Sequence, residues 1–334
     1  MKNVRVALSG GVDSTAALLL CLKQGYSATG ITLRLFKNRF SDDSIRDAGI
    51  ICRELGVRHI IRDVADRFEQ QVIQSFCNTY RRGQTPSPCL HCNPLFKWEL
   101  MLKEPELDSD VFLATGHYAG ISDYRGRPCI RRGLYSDQSY FLHRLTPEHI
   151  RRSIFPVGDM QKTQLREMVA AEGLHVANRP DSQEICFIHG KYSDFLNKHL
   201  DPVPPPGEIV DGDGTVIGRH KGIHHYTVGQ RSGLGIAAPN PLYVVRIDTD
   251  TNRLVVGTRE DVIRKRFHVE NIVWSAVDPP DRPLQCLVQV RYRHIPVSGT
   301  VIPRTATSAD VVLEDPRGAV VAAGQGAAFY MENN

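Results

Sequence analysis

The chain predicts an α/β fold, a doubly wound and mostly parallel sheet, followed by C-terminal all-β regions. Three observations carry this. Short apolar runs alternate with amphipathic helical stretches through the first third of the sequence. A Gly-Gly turn sits where the first apolar run gives way to the first helix. Beyond the proline-rich stretch 201–207, the pattern changes to short strands separated by turns.

Residues 4–8 read as a buried strand and 13–24 as a helix. A strand at 28–35, a helix at 44–55, a strand at 59–64 and a helix at 66–81 follow, then a fourth strand at 111–115. The stretch 146–200 reads as helical. Three consecutive prolines, Pro204, Pro205 and Pro206, can continue neither helix nor strand and mark a boundary. The expected domains are 1–202, with a helical extension, then a small central β domain at 206–265 and a barrel-like C-terminal domain at 266–334. In the second, strands at 208–210 and 215–218 flank Asp211-Gly-Asp-Gly214, a hairpin signal. Further strands are expected from 242–247 through to 319–323.

Of the 334 residues, 41% are hydrophobic and 23% charged, so a folded core is expected and whole-chain disorder is excluded. No uncharged apolar run approaches the roughly 18 residues of a membrane span. The N-terminal residues lack the features of an export signal. Eight cysteines are too sparse for a disulfide scaffold, which points to thiols in the cytoplasm. A net charge of +4 permits a nucleic-acid partner.

Ser9-Gly10-Gly11-Val12-Asp13-Ser14 lies between the first strand and the first helix, where a phosphate site belongs. The glycines let backbone amides approach an anion, and Ser9 and Ser14 add hydroxyl donors. Asp13 reads as a helix cap or a magnesium partner. The spacing matches neither the dinucleotide fingerprint nor the Walker loop.

Cys21, Cys52, Cys77, Cys129 and Cys286 read as small core hydrophobes. Cys89 and Cys92 form a Cys-x-x-Cys at a helix start, where the dipole is expected to depress thiol pKa. Cys186 lies far away in sequence. A structural zinc site would need a second Cys-x-x-Cys or a Cys/His pair, and none exists, although His91 and His117 could be recruited. Seven arginines at 125, 127, 131, 132, 144, 151 and 152, interleaved with Tyr135, Tyr140 and Phe141, suit phosphate contact and base stacking. His224 and His225 read as packing a turn.

Ser-Gly-Gly-x-Asp-Ser resembles the PP-loop of ATP pyrophosphatases. The ordered motifs SGGVDS, TPSPCLHCN, ATGHYA, SDQSYFLHRL, DSQEICFI, HYTVGQRSGLGI and VRYR resemble those of the bacterial tRNA-specific 2-thiouridylases. The resemblance runs from about Val6 to Tyr330. It implies an adenine nucleotide alpha hydrolase-like fold, ATP and Mg2+, and cleavage of ATP to AMP and pyrophosphate. Its substrates would be tRNAs of the Lys, Glu and Gln type, with sulfur supplied by a cysteine desulfurase or a sulfur-relay protein. Carried over, Ala7, Leu8, Ser9, Gly10, Gly11, Val12, Asp13, Ser14, Leu33 and Gly116 match ATP-contacting positions. Cys92 matches the nucleophile and Cys186 the persulfide-bearing cysteine. Ser87, Pro88 and Cys89 match the stretch near the target base. Ser136, Asp137, Gln138, Arg291 and Tyr292 match RNA contacts, and the basic run adds Arg151 and Arg152.

The family usually has Asp where this chain has Cys89. With that exchange, Cys89, Cys92 and Cys186 could alternatively hold three irons of a 4Fe–4S cluster. Two rival readings stand beside sulfur transfer. A PP-loop amidating ligase acting on a small metabolite or on tRNA would explain the loop but not the cysteines, and a non-catalytic RNA-binding protein built on the C-terminal β region would be excluded by tRNA-dependent pyrophosphate release.

Overall fold

The structure, a computed structural model, describes residues 2–103, 111–180, 185–316 and 319–331. In chain order the first strands are β1 (Asn3–Ala7), β2 (Ser27–Arg34), β3 (Arg58–Asp63), β4 (Phe112–Ala114), β5 (Ala119–Tyr124), β6 (Arg127–Arg132) and β7 (Ser153–Ile154). Five of them form one sheet in the order β3-β2-β1-β4-β7, with every pairing parallel. A parallel strand is covered on both faces, and Val4, Arg5 and Val6 of β1, which alternate between its faces, are accordingly all buried. Helices α1 (Val12–Lys23) and α2 (Arg39–Glu54), with the helix Lys162–Ala171, contribute Leu19, Ala48, Ile51 and Leu165 to one core. Trp98, Leu113, Leu145 and Ile150 belong to another. The strand order reverses between β1 and β4, so the crevice beyond their carboxyl ends is the topological switch point.

Several elements depart from expectation. The second helix begins at Arg39 rather than 44, because Asn38 accepts the Ser41 amide through its side chain at 3.0 Å. The third helix is interrupted by a π turn at Glu69–Ile73. The stretch after Thr146, expected to be helical, also contains the two-residue strand β7, which completes the sheet. Strands β5 and β6 form an antiparallel hairpin inside the arginine-rich run. The strand expected at 319–323 shrinks to a single bridge between Ile263 and Val320.

Beyond the prolines, Gly207–Val210, Val216–His220, Tyr243–Asp248 and Arg253–Gly257 form a four-stranded sheet. Arg266–Val269, Leu284–Gln289, Val297–Thr305, Ser308–Leu313 and Ala328–Tyr330 form a five-stranded antiparallel sheet. This last sheet is fastened to the parallel domain through polar contacts. The Thr85 amide donates to Ala323 O at 2.8 Å, and Gln325 Nε2 donates to Thr85 O at 2.8 Å. Tyr140 donates its hydroxyl to Gly326 O at 3.1 Å, and the hydroxyls of Ser139 and Tyr330 pair at 2.9 Å.

Candidate active site

The loop after β1 is built to stay open toward the crevice. Gly10 takes φ +71°, and a Cβ there would lie 2.7 Å from Ser44 O. Ser14 donates to Gly11 O at 3.0 Å and accepts the Ser9 amide at 3.2 Å, closing the turn on itself. Gly11 is the N-cap of α1, so the first amides of the helix face the turn. Gly116, just past β4, backs onto this loop: a Cβ would fall 2.7 Å from the Asp13 carbonyl carbon and the Ser14 nitrogen. Leu33 lies one residue before the carboxyl end of β2, on the same edge of the sheet.

Asp13 is not the helix cap, because Gly11 holds that position without a side-chain cap bond. Its Oδ1 instead accepts from Lys162 Nζ at 2.7 Å and from the Tyr118 hydroxyl at 2.8 Å. Arg179 donates to Gly10 O at 2.9 Å and pairs with Asp47. Lys162, Tyr118 and Arg179 lie from 105 to 169 positions away from their loop partners. No spacing rule reaches across such separations.

The thiols stand on the adjoining wall. Cys89–Cys92 is one helical turn, its amides bonded back to Ser87 and Pro88 carbonyls, and it runs into a π turn at Asn93–Trp98. Cys92 is buried in one apolar cluster with Phe68, Phe76, Phe96, Phe187 and Ile188. Since Phe187 and Ile188 follow Cys186 directly, the cluster draws that cysteine alongside. Cys186 itself is solvent-exposed, although protein walls crowd its sulfur. The first four residues of DSQEICFI, 181–184, lie outside the described residues.

The expected depression of thiol pKa is overturned. Burial pushes Cys92 up to about 11 and Cys186 to about 12, and also raises Cys89; Cys89 further raises Cys92, and both of these raise Cys186. Desolvation by the aromatic cluster outweighs the dipole of a short helix. Opposing it at all three thiols is the charge of Lys97. Lys97 Nζ lies 3.4 Å from His117 Nε2, and His117 Nδ1 is 2.8 Å from Thr115 Oγ1. Burial, then the Lys97 charge, holds His117 well below its ordinary pKa, hence neutral. Thr115 and His117 flank Gly116. The chain Thr115–His117–Lys97 therefore joins the loop side of the crevice to the thiol side.

Ser87 and Pro88 line a cleft of about 830 Å³ between the parallel domain and the last sheet, together with His91, Arg144 and Trp274. Several residues expected to meet RNA are occupied within the fold. Asp137 accepts from Arg132 and from the amides of Gly133 and Ser139, and Gln138 exchanges hydrogen bonds with the Tyr118 backbone. Ser136 is exposed. Arg291 donates to Val320 O at 3.0 Å, while Tyr292 packs on Phe141 with ring centroids 4.4 Å apart. Tyr140 is 1% exposed and is a core side chain, not a stacking platform. Arg127, Arg131 and Arg132 bind Asp278, Asp159 and Asp137. Arg151 and Arg152 are not brought to the site. They precede β7 at the amino ends of the strands, and Arg152 Nε donates to Val111 O at 3.1 Å.

The fold and loop together define an ATP-splitting domain of the PP-loop kind with a thiol wall beside it. The chain belongs to the tRNA-specific 2-thiouridylase family. Its residues 2–190 match the tRNA methyl transferase HUP domain, 193–258 the PRC-barrel domain of that family, and 264–334 the aminomethyltransferase β-barrel domain. It is 40% identical to the tRNA-specific 2-thiouridylase MnmA of Acaryochloris marina, covering 99% of this chain and 96% of the relative. It is 42% identical to the MnmA of Synechococcus sp. JA-3-3Ab, covering 98% of this chain and 90% of the relative. Among solved structures it is similar to a 4-thiouridine synthetase in complex with RNA and ATP, at 18% identity and TM-score 0.38, covering 60% of this chain and 50% of the other. Another is the U34-tRNA thiolase NcsA of Methanococcus maripaludis with its [4Fe-4S] cluster, at 17% identity and TM-score 0.36, covering 60% of this chain and 65% of the other.

Proposed function

We propose that this chain thiolates the wobble uridine of tRNAs of the Lys, Glu and Gln type at C2, consuming ATP. The observation that carries the reading is the convergence of a phosphate loop and three thiols on one crevice, joined through Thr115, His117 and Lys97. In the first half-reaction the uridine O2 attacks the α-phosphorus of ATP and pyrophosphate leaves. The amides of Gly10 to Ser14 and the Ser9 and Ser14 hydroxyls hold the phosphates. Magnesium would arrive as the counter-ion of the nucleotide. Of the two Asp13 carboxylate oxygens, Oδ1 is already held by Lys162 and Tyr118, so Oδ2 would be the one to meet it.

In the second half-reaction a persulfide on Cys186 attacks C2 with its terminal sulfur, and AMP leaves with the former O2. The Cys92 thiolate then attacks Cys186 Sγ, which releases 2-thiouridine and forms a Cys92–Cys186 disulfide. An external thiol must reduce that disulfide. Exposure of Cys186 suits loading by a cysteine desulfurase or a sulfur-relay protein. The compartment is then the cytoplasm, and among the described residues no helix is long and apolar enough to cross a membrane.

A 4Fe–4S cluster does not fit the site. Among the described residues no three His, Cys, Asp or Glu side chains are placed to hold a metal ion. Cys89 is then a spare thiol. The test is mass spectrometry of tRNA nucleosides from a deletion strain. Loss of 2-thiouridine, restored by the wild-type chain and not by Cys186→Ser, supports the reading; a nitrogen-dependent product without sulfur overturns it in favour of an amidating ligase.

A further inference from the structure

We propose that Lys97 is a catalytic cation of the sulfur-transfer step, holding the sulfur anion against the activated base. This rests on the sulfur-transfer reading and adds to it a group that the motifs did not single out. Residues five apart on an α-helix point about 140° away from each other. Between Cys92 and Lys97 the chain instead makes a π turn, whose bond from the Glu99 amide to Pro94 O spans five residues. Such a turn carries residues five apart closer to one face, and π turns concentrate at functional sites. Phe96 and Trp98, on either side of Lys97, are fully buried and pin the segment.

Among the described residues the ammonium is short of counter-charge. Lys97 is half-buried, and among the described residues no carboxylate pairs with it. Its nearest polar partner is neutral His117, which accepts at Nε2 while Nδ1–H donates to Thr115 Oγ1. A half-buried ammonium facing a neutral acceptor is stabilised by an anion on its other side. The anions that visit this point are the thiolate or persulfide of the thiol wall and the phosphate of departing AMP. In the sulfur-transfer step the attacking sulfur gives up its charge as it bonds to C2 and AMP takes up charge as the C2–O2 bond breaks, while pyrophosphate departs earlier at the loop.

The test separates the two half-reactions in the full-length enzyme with substrate tRNA. In Lys97→Met, 2-thiouridine formation should fall by about 100-fold or more, while tRNA-dependent ATP–pyrophosphate exchange stays within about threefold of wild type. Lys97→Arg should recover about a tenth of the lost rate or more, because the charge returns in a different shape. An equal loss in both half-reactions, or wild-type thiolation in Lys97→Met, overturns the proposal. A second readout needs no activity: the ratio of Cys186 labelling by anionic iodoacetate to labelling by neutral iodoacetamide. Both reagents consume the same thiolate, so the ratio reports local charge. It should drop about threefold or more in Lys97→Met, and an unchanged ratio overturns the proposal. Should the wild-type chain make no 2-thiouridine, the functional reading fails, while the labelling ratio still decides whether Lys97 charges the thiol wall.

Discussion

At the scale of single residues, burial decides the chemistry more than spacing does. With Cys92 near 11 and Cys186 near 12, neither thiol is ionised at neutral pH in the free enzyme. Iodoacetamide should therefore label both more slowly than a free peptide thiol at pH 8, with rates still rising at pH 10; peptide mass spectrometry reads this out. Cys92→Ser and Cys186→Ser should each abolish thiolation and spare pyrophosphate exchange, whereas Cys89→Ser should keep most of the wild-type thiolation rate. Gly116→Val should instead stop both steps at the first, because its side chain would enter the backbone of Asp13 and Ser14 and close the phosphate loop. Exchange should then fall by about 100-fold or more. The positions of these cysteines are legible in the sequence. Their pKa values are not, because the desolvating rings Phe68, Phe96 and Phe187 come from three separate stretches of chain.

At the scale of elements, strands with long apolar runs announce themselves and short ones do not. β1 and β2 are plain in the sequence. β7 has two residues, too few to show any period, yet it closes the sheet beside β4. The arginine-rich run illustrates a different limit. Counted along the chain it is strongly basic, but the β5–β6 hairpin sets Arg127 and Arg131 against Asp278 and Asp159. A charge already paired in the fold releases few counterions on binding RNA. Replacing Arg127 or Arg131 by Gln should therefore leave the slope of log tRNA affinity against log salt nearly unchanged. The same holds for Arg151 and Arg152 together, which sit at the far edge of the sheet. A slope reduced by about one per arginine would return the footprint to this run.

At the scale of the molecule, the seam between the parallel domain and the last sheet carries its own acid sensitivity. His143 is half-buried there: its Nδ1 lies 2.6 Å from Tyr140 O, and desolvation pushes its pKa from 6.5 down to about 4. On acidification the unfolded chain takes up this proton first, so the stability His143 contributes is present above pH 6.5 and is lost as pH falls toward 4. His224, buried on the central sheet and also near 4, acts in the same direction. The urea midpoint should decline across that window, and His143→Gln should flatten the decline. The Thr85 amide, in a loop yet bonded across the seam, should exchange with deuterium as slowly as sheet amides.

Phe187 and Ile188 have a consequence for traffic. The sulfur acceptor stands one residue from side chains locked in an aromatic core, so it has no long tether with which to swing outward. A receiver moored this closely leaves the reaching to the visitor. The donor must bring its sulfur on a mobile arm long enough to enter the crevice beside Lys97, and a donor with a rigid, recessed thiol would stall at the rim.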